Sequence, residues 1–354
     1  MSIKEQAHIN VISAELLGSV TVAAPSLHTE DGAKAFLAVM DTFGFAVVTD
    51  VLTKEQVAVA ESLFDDDLRS IVDLPDAEKN TKPCFLPNTG ESVARRWSDK
   101  HPLGRYNPSF ASDYGVPHGR CAWYCRTNQA VHRVFEVLHN NDKELCVGMD
   151  NVFFDSSREN HSETAKPDSE IEEILWPHAD QSIHAAGGDQ PCYQGIVYVW
   201  PSSQFTSTTV VWPRSHKDAY LKMMAVRSYS SHFCPLPKSA LEDFIAGAVR
   251  VVIPSGGMIL WNSKLIHQGW NIGPRLAVPI CMEPKSRRSS DALERKMTAC
   301  KEGVPTTHWA SLGYFHGCCK EDNGGTKDFP LVFNCHKWMI NKAGDVDASV
   351  VALL

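Results

Sequence analysis

The sequence predicts a mainly β fold with flanking helices, whose core is an antiparallel sandwich or barrel such as a jelly roll. β-Branched and aromatic runs follow one another between residues 145 and 283, and turns rich in Pro, Gly and Ser separate them. Little helical periodicity lies between these runs, which indicates an antiparallel arrangement. Helical periodicity is concentrated before residue 145, where helices are expected to pack outside the core.

The N-terminal part of the chain predicts a helix, a strand and a second helix. In "TEDGAKAFLAVMDTFG" the apolar residues recur at helical spacing, and Gly44 stands where that helix should end. The following "FAVVTDVL" predicts a short strand. Thr53 and Gln56 then stand in capping-box register at the start of a second amphipathic helix.

The middle of the chain contains two loop-like stretches around a helix and a strand. Residues 75–117 are rich in Pro, Gly, Asn and Ser, as is typical of a long irregular excursion. "NQAVHRVFEVLHN" predicts a helix and "ELCVGMDNVFFD" a strand, and the polar stretch 156–169 predicts a loop. Four further segments predict the remaining strands: "YQGIVYVW", "TSTTVVWP", "VRVVIPSGGMILWN" and "RLAVPICME".

We expect one domain over residues 1–354. Residues 1–144 would form a helical support with a loop region, residues 145–283 the β core, and residues 284–354 a C-terminal extension packed on that core. No internal repeat is evident. The apolar and charged fractions, 43% and 21%, are those of a globular protein.

Charge and cysteine content narrow the class of protein. A net charge of −8 argues against a nucleic-acid-binding surface, because phosphate affinity depends on clustered Lys and Arg. The start of the chain lacks a signal-peptide pattern, and no stretch approaches the ~18 apolar residues of a membrane span. The 11 cysteines are irregularly spaced, so we expect reduced thiols and a soluble, cytoplasmic protein.

The stretch "ILWPHADQSIH" carries the first chemical signal. In a strand, residues i and i+2 point to one face, so His178 and Asp180 can aim an imidazole and a carboxylate at one point while Ala179 turns away. A mixed nitrogen and oxygen pair suits Fe(II), Mn(II) or Zn(II). Two ligands hold a metal too weakly, so a third ligand must come from elsewhere.

The best third ligand is His267, which follows the Gly-marked strand in "GGMILWNSKLIHQGWNIGPRLAVPI". Two histidines and one carboxylate form the facial triad of non-haem iron oxygenases, which leaves coordination positions open for an oxoacid and dioxygen. Arg275 opens the next strand and could anchor the distant carboxylate of that oxoacid with a two-pronged donor. Taken singly, each of these residues also fits a structural role; their order along the chain is what favours a site.

With these motifs the chain resembles the iron(II)/2-oxoglutarate-dependent oxygenases, and within them the phytanoyl-CoA dioxygenase-like family. The resemblance extends from about Glu30 to Glu283. It is carried by the opening helix–strand–helix, by "VVWPRSHK", in which Arg214 replaces the usual Gly of a "PGSH" turn, and by "PSGGMILWNSKLIHQGWN". It implies a double-stranded β-helix core of the jelly-roll or cupin-like type, with Fe(II) as cofactor and 2-oxoglutarate and dioxygen as cosubstrates.

The resemblance also implies residue roles. His178, Asp180 and His267 match the iron ligands, and Arg275 matches the residue that binds the C5 carboxylate of 2-oxoglutarate. Trp200 matches an aromatic position that lies beside the cosubstrate in some members, although a core tryptophan is the simpler interpretation. The chain departs from the frequent Arg-x-Ser pattern, because Ala277 stands where the serine is expected. Another group, such as a tyrosine or a water, would then replace that hydroxyl.

The expected reaction is hydroxylation, or a related C–H oxidation, of a small or medium-sized organic substrate. Asp180 favours this over halogenation, because related iron halogenases lack the carboxylate. Two alternatives stay open: a cupin-like metal enzyme that does not use 2-oxoglutarate, and a non-catalytic β-sandwich that binds a ligand.

Other polar residues have weaker claims to function. An unbroken strand would place His184 on the face of Asp180 but ~13 Å away, too far for ligation. His216 is expected to fix a turn. "HGCC" at 316–319 lacks a partner pair for a structural zinc site, and four residues are possible substrate contacts: Arg95, Arg96, Asp150 and Asn151.

Overall fold

The structure is a computed structural model that describes residues 9–72, 92–97, 103–104, 109–156, 176–236, 247–315 and 335–354. The strands are β1 (Thr21–Ala23), β2 (Phe45–Thr49), β3 (Phe110–Ala111), β4 (Leu145–Val147), β5 (Val152–Asp155), β6 (His178–Ala179), β7 (Tyr193–Tyr198), β8 (Thr208–Val211), β9 (Cys234–Pro235), β10 (Val249–Val251), β11 (Met258–Asn262), β12 (His267–Trp270), β13 (Arg275–Ile280) and β14 (Met282–Pro284). The α-helices are α1 (Ala14–Val20), α2 (Glu30–Phe43), α3 (Lys54–Val72), α4 (Arg120–Arg126), α5 (Gln129–Leu138), α6 (Asp218–Val226), α7 (Ser290–Glu302) and α8 (Ala348–Val351).

The described chain divides into two compact units. The first comprises residues 9–51, 176–236 and 247–275, and the second comprises the described residues of 52–156 and of 276–354. The boundaries predicted at residues 144 and 283 stay a prediction.

Two sheets make up the first unit. In one sheet the strand order is β1-β2-β11-β7; β1 runs parallel to β2, and β11 runs antiparallel to β2 and to β7. The other sheet has the order β10-β8-β12-β6-β9, with antiparallel neighbours. Apart from β1 and β2, the neighbouring strands are not consecutive in the chain. The predicted mainly β, jelly-roll class with flanking helices is confirmed.

Helix α2 illustrates how local sequence signals place the flanking helices. The Thr29 side chain accepts a hydrogen bond from the Gly32 N–H at the start of α2, and Gly44 ends the helix with φ +78°. A Cβ on Gly44 would clash with the ring of His216, so both conformation and space require glycine there. The helix end predicted at Gly44 is confirmed.

Helix α6 lies within the stretch predicted to be all β, between β8 and β9. It covers one face of the second sheet with Tyr220, Met223 and Met224, which belong to a buried cluster with Ala179 and Val210. Burying side chains of this size contributes about 1.5–3 kcal/mol each. The sequence analysis missed this helix, because its apolar residues directly follow a turn and lie among segments that predict strands.

In the second unit, strands β13, β5 and β3 are neighbours in that order, and β14 pairs with β4. The reciprocal capping box predicted for α3 is confirmed: the Thr53 N–H donates to Gln56 Oε1 at 2.9 Å, and the Gln56 N–H donates to Thr53 Oγ1 at 3.2 Å. The single strand expected in "ELCVGMDNVFFD" is wrong, because β4 and β5 are separate strands. The chain leaves β4 at Gly148, where a Cβ would lie 2.9 Å from the Thr307 carbonyl oxygen.

Among the helices in the part of the chain that the structure describes, none has both the length and the apolar character needed to cross a bilayer. Three stretches considered in the sequence analysis fall outside the described residues. They are "HGCC", the polar loop after residue 156 and most of the irregular excursion at 75–117.

Candidate metal centre

His178 and His267 are direct cross-strand neighbours in the second sheet. Strand β6 pairs antiparallel with β12 through these two residues, and their ring centroids lie 4.5 Å apart. The alternation of side chains along β6 places Ala179 in the buried cluster beneath α6 and His178 on the opposite face. The predicted turning-away of Ala179 is confirmed.

Asp180 follows β6 directly and brings its carboxylate to both histidines. Its Oδ1 lies 3.5 Å from Nε2 of His178, and its Oδ2 lies 3.2 Å from Nε2 of His267. One ligand atom from each of the three residues lies within 4.8 Å of the others. The backbone holds this position, since the Asp180 N–H donates to the Ser263 carbonyl oxygen at 2.9 Å.

The two imidazoles are oriented by the same kind of hydrogen bond. Nδ1 of His178 bonds to the Trp176 carbonyl oxygen at 3.1 Å, and Nδ1 of His267 bonds to the Leu265 carbonyl oxygen at 3.0 Å. A carbonyl oxygen only accepts, so each Nδ1 carries a proton, and in a neutral ring this leaves the lone pair on Nε2 for a metal ion. Backbone partners of this type fix the tautomer of metal-bound histidines.

The pKa of His267 also suits a metal ligand. Burial is the main cause that lowers the pKa of His267 below its usual value, and the neighbouring His178 lowers it further. The Asp180 carboxylate acts in the opposite direction, because its negative charge favours the protonated ring. The pKa of His267 is lowered in sum, so its imidazole is neutral near pH 7, as metal coordination requires.

These donors fit an Fe(II) ion. Adjacent ligands at right angles around an ion with bonds of about 2.1 Å are about 3 Å apart. Each imidazole Nε2 lies close to that distance from one carboxylate oxygen of Asp180, His178 at 3.5 Å from Oδ1 and His267 at 3.2 Å from Oδ2. Two neutral imidazoles and one carboxylate are the donor set of the facial triad.

Aromatic side chains surround the two histidines. Trp176 stacks on His178 with centroids 4.7 Å apart and an interplanar angle of 12°, and Trp261 lies 4.9 Å from His267. Phe233 contacts His178 at 4.9 Å and is 52% exposed. These rings restrain the imidazoles, and the half-exposed Phe233 marks a side on which the centre is close to solvent.

Arg275, at the start of β13, is buried and bonded to Tyr198. Its Nη2 donates to the Tyr198 hydroxyl oxygen at 2.8 Å, and its guanidinium carbon lies 5.1 Å from the Tyr198 ring centroid. The Tyr198 hydroxyl also lies 3.3 Å from Oγ1 of Thr209 on β8. Tyr198 thus connects the sheet of β7 to the sheet of β8 beside the arginine.

Sequence reasoning missed two residues of β7, Gln194 and Tyr198. They are four positions apart, so both side chains lie on one face of the strand. Gln194 contacts Asp180 and Tyr198 contacts Arg275. The sequence did contain a sign of this pair: a polar and a phenolic residue, an even number of positions apart, in the otherwise apolar run "YQGIVYVW". Trp200 is buried just after β7, and its place beside a cosubstrate stays a prediction.

The other candidates are engaged in local contacts. His184 lies beyond the end of β6, where its Nε2 bonds to the Met224 carbonyl oxygen at 3.3 Å. His216 fixes a turn as expected, through Nε2 and the Asp41 carbonyl oxygen at 3.1 Å. In the second unit, Arg95 is ion-paired with Glu61 at 2.9 Å. Substrate contact by Arg95, Arg96, Asp150 or Asn151 stays a prediction.

Comparison with known proteins gives one relative by sequence. No family model matches the chain. The "Ava biosynthesis cluster protein O" of Aspergillus versicolor is 23% identical over 211 residues, which are 55% of this chain. The match spans 64% of the length of that curated relative.

Several solved structures resemble the chain. GlcNAc Inducible Gene 2 (DUF1479) of Candida albicans has a TM-score of 0.50 and 11% identity, covering 99% of this chain and 86% of that one. The epimerase SnoN, in complex with Fe3+, alpha ketoglutarate and nogalamycin RO, has a TM-score of 0.45 and 11% identity, covering 73% and 85%. EctD from S. alaskensis, with 2-oxoglutarate and 5-hydroxyectoine, has a TM-score of 0.42 and 14% identity, covering 78% of each chain. At 11% identity, the likeness to the Candida albicans structure concerns the fold alone.

Proposed function

We propose that the chain is an iron(II)- and 2-oxoglutarate-dependent oxygenase that hydroxylates, or otherwise oxidises at C–H, a small or medium-sized organic substrate. The convergence of His178, Asp180 and His267 within 4.8 Å is the observation that carries the proposal. The motifs around Arg214 and His267 further support the phytanoyl-CoA dioxygenase-like family within that superfamily.

Each group of the centre has a task in this reaction. The two Nε2 atoms and the Asp180 carboxylate would hold the iron, and bound iron supplies the activation of dioxygen. Arg275 and the Tyr198 hydroxyl would bind the far carboxylate of 2-oxoglutarate through charge-assisted hydrogen bonds. One molecule each of 2-oxoglutarate, dioxygen and substrate R–H then gives succinate, carbon dioxide and R–OH. Dioxygen supplies one oxygen atom to succinate and one to the product.

The substrate class rests on separate observations. The apolar Phe233 ring, half-exposed beside His178, favours an organic substrate with an apolar portion near the oxidised carbon. The relative named for a biosynthesis cluster supports a small metabolite. The net charge of −8 argues against nucleic acid. Free thiols at the described cysteines agree with an intracellular location.

Anaerobic loading of the purified protein with Fe(II) and 2-oxoglutarate tests the proposal. We expect a weak visible charge-transfer band from the iron–oxoglutarate chelate, and succinate after admission of air. The variant His267→Ala should lose both signals, because two ligands bind the ion too weakly. A wild-type protein that shows neither the band nor succinate would exclude the proposed function.

A further inference from the structure

Gln194, near the start of β7, is buried against the carboxylate of Asp180. Its Nε2 donates to Asp180 Oδ2 at 3.1 Å and to Ser263 Oγ at 3.3 Å. We propose that Gln194 is a positioning residue that makes the two carboxylate oxygens of Asp180 unequal and so holds Asp180 to coordination through one oxygen. The inference rests on the proposed function, because it concerns the same metal centre.

The direction of the hydrogen bond follows from chemistry. An ionised carboxylate only accepts, so the amide nitrogen of Gln194, and not its oxygen, faces Asp180. The second N–H of that amide donates to the Ser263 hydroxyl, which fixes the orientation of the amide. Ser263 is fully buried, and its backbone bonds to Asp180 and Cys192. The donor is therefore pre-oriented by a buried residue that directly follows β11, the strand paired with β7.

An N–H on Oδ2 withdraws negative charge from that oxygen and restrains its position. A carboxylate without such a donor can rotate and bind a metal ion through both oxygens. The amide of Gln194 is neutral, so it biases the carboxylate without adding a charged ligand of its own. A lysine or arginine at this position would instead neutralise Asp180 and compete with the ion for it.

The number of open coordination positions explains why one oxygen matters. An oxoacid that binds through two atoms and a dioxygen molecule together need all the positions that a facial triad leaves open. A carboxylate that binds through both oxygens would occupy one of them. Holding Asp180 to one oxygen thus preserves room for both cosubstrates, which is a task for this chain's Gln194 and Ser263.

Metal binding by the intact chain, without 2-oxoglutarate, tests the inference. Co(II) is the probe, because its visible spectrum reports coordination number. In Gln194→Leu we expect Co(II) affinity to fall about 10–100-fold, as for other residues that orient metal ligands, together with a changed spectrum. Ser263→Ala should shift both in the same direction by less. Ser202→Ala is the matched control, since Ser202 is a buried hydroxyl bonded to Ile253 and Val251.

The outcomes separate the two proposals. If wild type binds one Co(II) and Gln194→Leu and Ser263→Ala bind it with unchanged affinity and spectrum, the positioning role is refuted while the oxygenase proposal stands. If wild type binds no Co(II) or Fe(II), both proposals fail. Should Gln194→Leu not fold, as judged by circular dichroism, Ser263→Ala against Ser202→Ala decides the question.

Discussion

Arg275 and Tyr198 form one unit: the guanidinium donates to the phenol oxygen at 2.8 Å while its central carbon lies 5.1 Å from the ring centroid. The family that the sequence resembles often carries Arg-x-Ser at the start of this strand, whereas the present chain has Ala277 in place of the serine. In the proposed function, we expect the Tyr198 hydroxyl to take the place of that serine hydroxyl beside Arg275.

The variant Tyr198→Phe tests whether the Tyr198 hydroxyl takes the place of the serine hydroxyl. The variant keeps the ring contact to Arg275 and removes only the hydroxyl, so we expect the 2-oxoglutarate concentration for half-saturation to rise about tenfold, as loss of one hydrogen bond to a charged group implies. Anaerobic titration of the iron-loaded protein, followed by the charge-transfer band, measures it. Tyr220→Phe is the matched control, because Tyr220 is buried and its hydroxyl bonds to the Gln181 carbonyl oxygen at 2.9 Å. Equal half-saturation in wild type and Tyr198→Phe would contradict the assignment.

Arg275→Gln distinguishes an oxoglutarate enzyme from a cupin-like metal enzyme that needs no dicarboxylate. Removing the charge should raise the 2-oxoglutarate requirement for succinate formation at least about 100-fold, since breaking one buried charge pair costs about 3–5 kcal/mol. Co(II) affinity should change little, because Arg275 is not among the three clustered ligands. A variant with the wild-type oxoglutarate requirement would favour the cupin-like alternative.

Local signals made much of the first unit predictable. Helix α2 ends at Gly44 because the left-handed conformation there favours glycine, and that preference is visible in the sequence. The triad was predictable too, because His178 and Asp180 are close in the chain and β12 brings His267 directly opposite His178. Residues that are close in the chain, or that lie opposite each other in paired strands, can therefore be recognised from the sequence.

Contacts between the two sheets left no such pattern. Gln194 and Tyr198 belong to an apolar run. Only the structure shows that Gln194 contacts Asp180 and that Tyr198 contacts Thr209 on β8. Periodicity predicts which residues share a face but not which face meets which. For His184 the comparison with an unbroken strand does not apply, since β6 ends at Ala179 and Nε2 of His184 bonds to the Met224 carbonyl oxygen in α6.

Arg214 occupies a position where the related motif has Gly, and its φ of +68° explains that preference. The side chain offsets the strain in part, since its guanidinium lies 5.1 Å from the Phe43 ring centroid. Arg214→Gly relieves the strain and loses the ring contact, so its free energy of unfolding should be within about 1 kcal/mol of wild type. Arg214→Ala keeps the strain and also loses the contact. We expect it to be about 1 kcal/mol less stable than Arg214→Gly in urea unfolding, and the reverse order would contradict this account.

Asp67, buried in α3, gives the second unit a pH dependence. Its carboxylate accepts hydrogen bonds from the backbone N–H groups of Arg120 and Cys121 at 3.0 and 3.2 Å. Burial is the main cause that raises the pKa of Asp67 from 3.8 to about 7, against the opposing effect of those N–H groups. Between these two values the folded state holds more protons than the unfolded state. The contribution of Asp67 to stability therefore falls as pH rises from about 4 to about 7, by at most about 1.4 kcal/mol per pH unit.

Urea unfolding of wild type and Asp67→Asn across this pH range measures the effect. The Asn variant lacks the titrating group, so the stability advantage of wild type over the variant should shrink as pH rises toward 7 and then become constant. Arg120→Met provides a second test, since the Arg120 guanidinium lies 3.7 Å from Asp67 Oδ1 and lowers its pKa. Without that charge the pKa of Asp67 rises further, and the loss of stability should extend above pH 7. A stability difference between wild type and Asp67→Asn that is the same at every pH would show that the pKa of Asp67 is equal in the folded and unfolded states, with the N–H groups and Arg120 balancing burial.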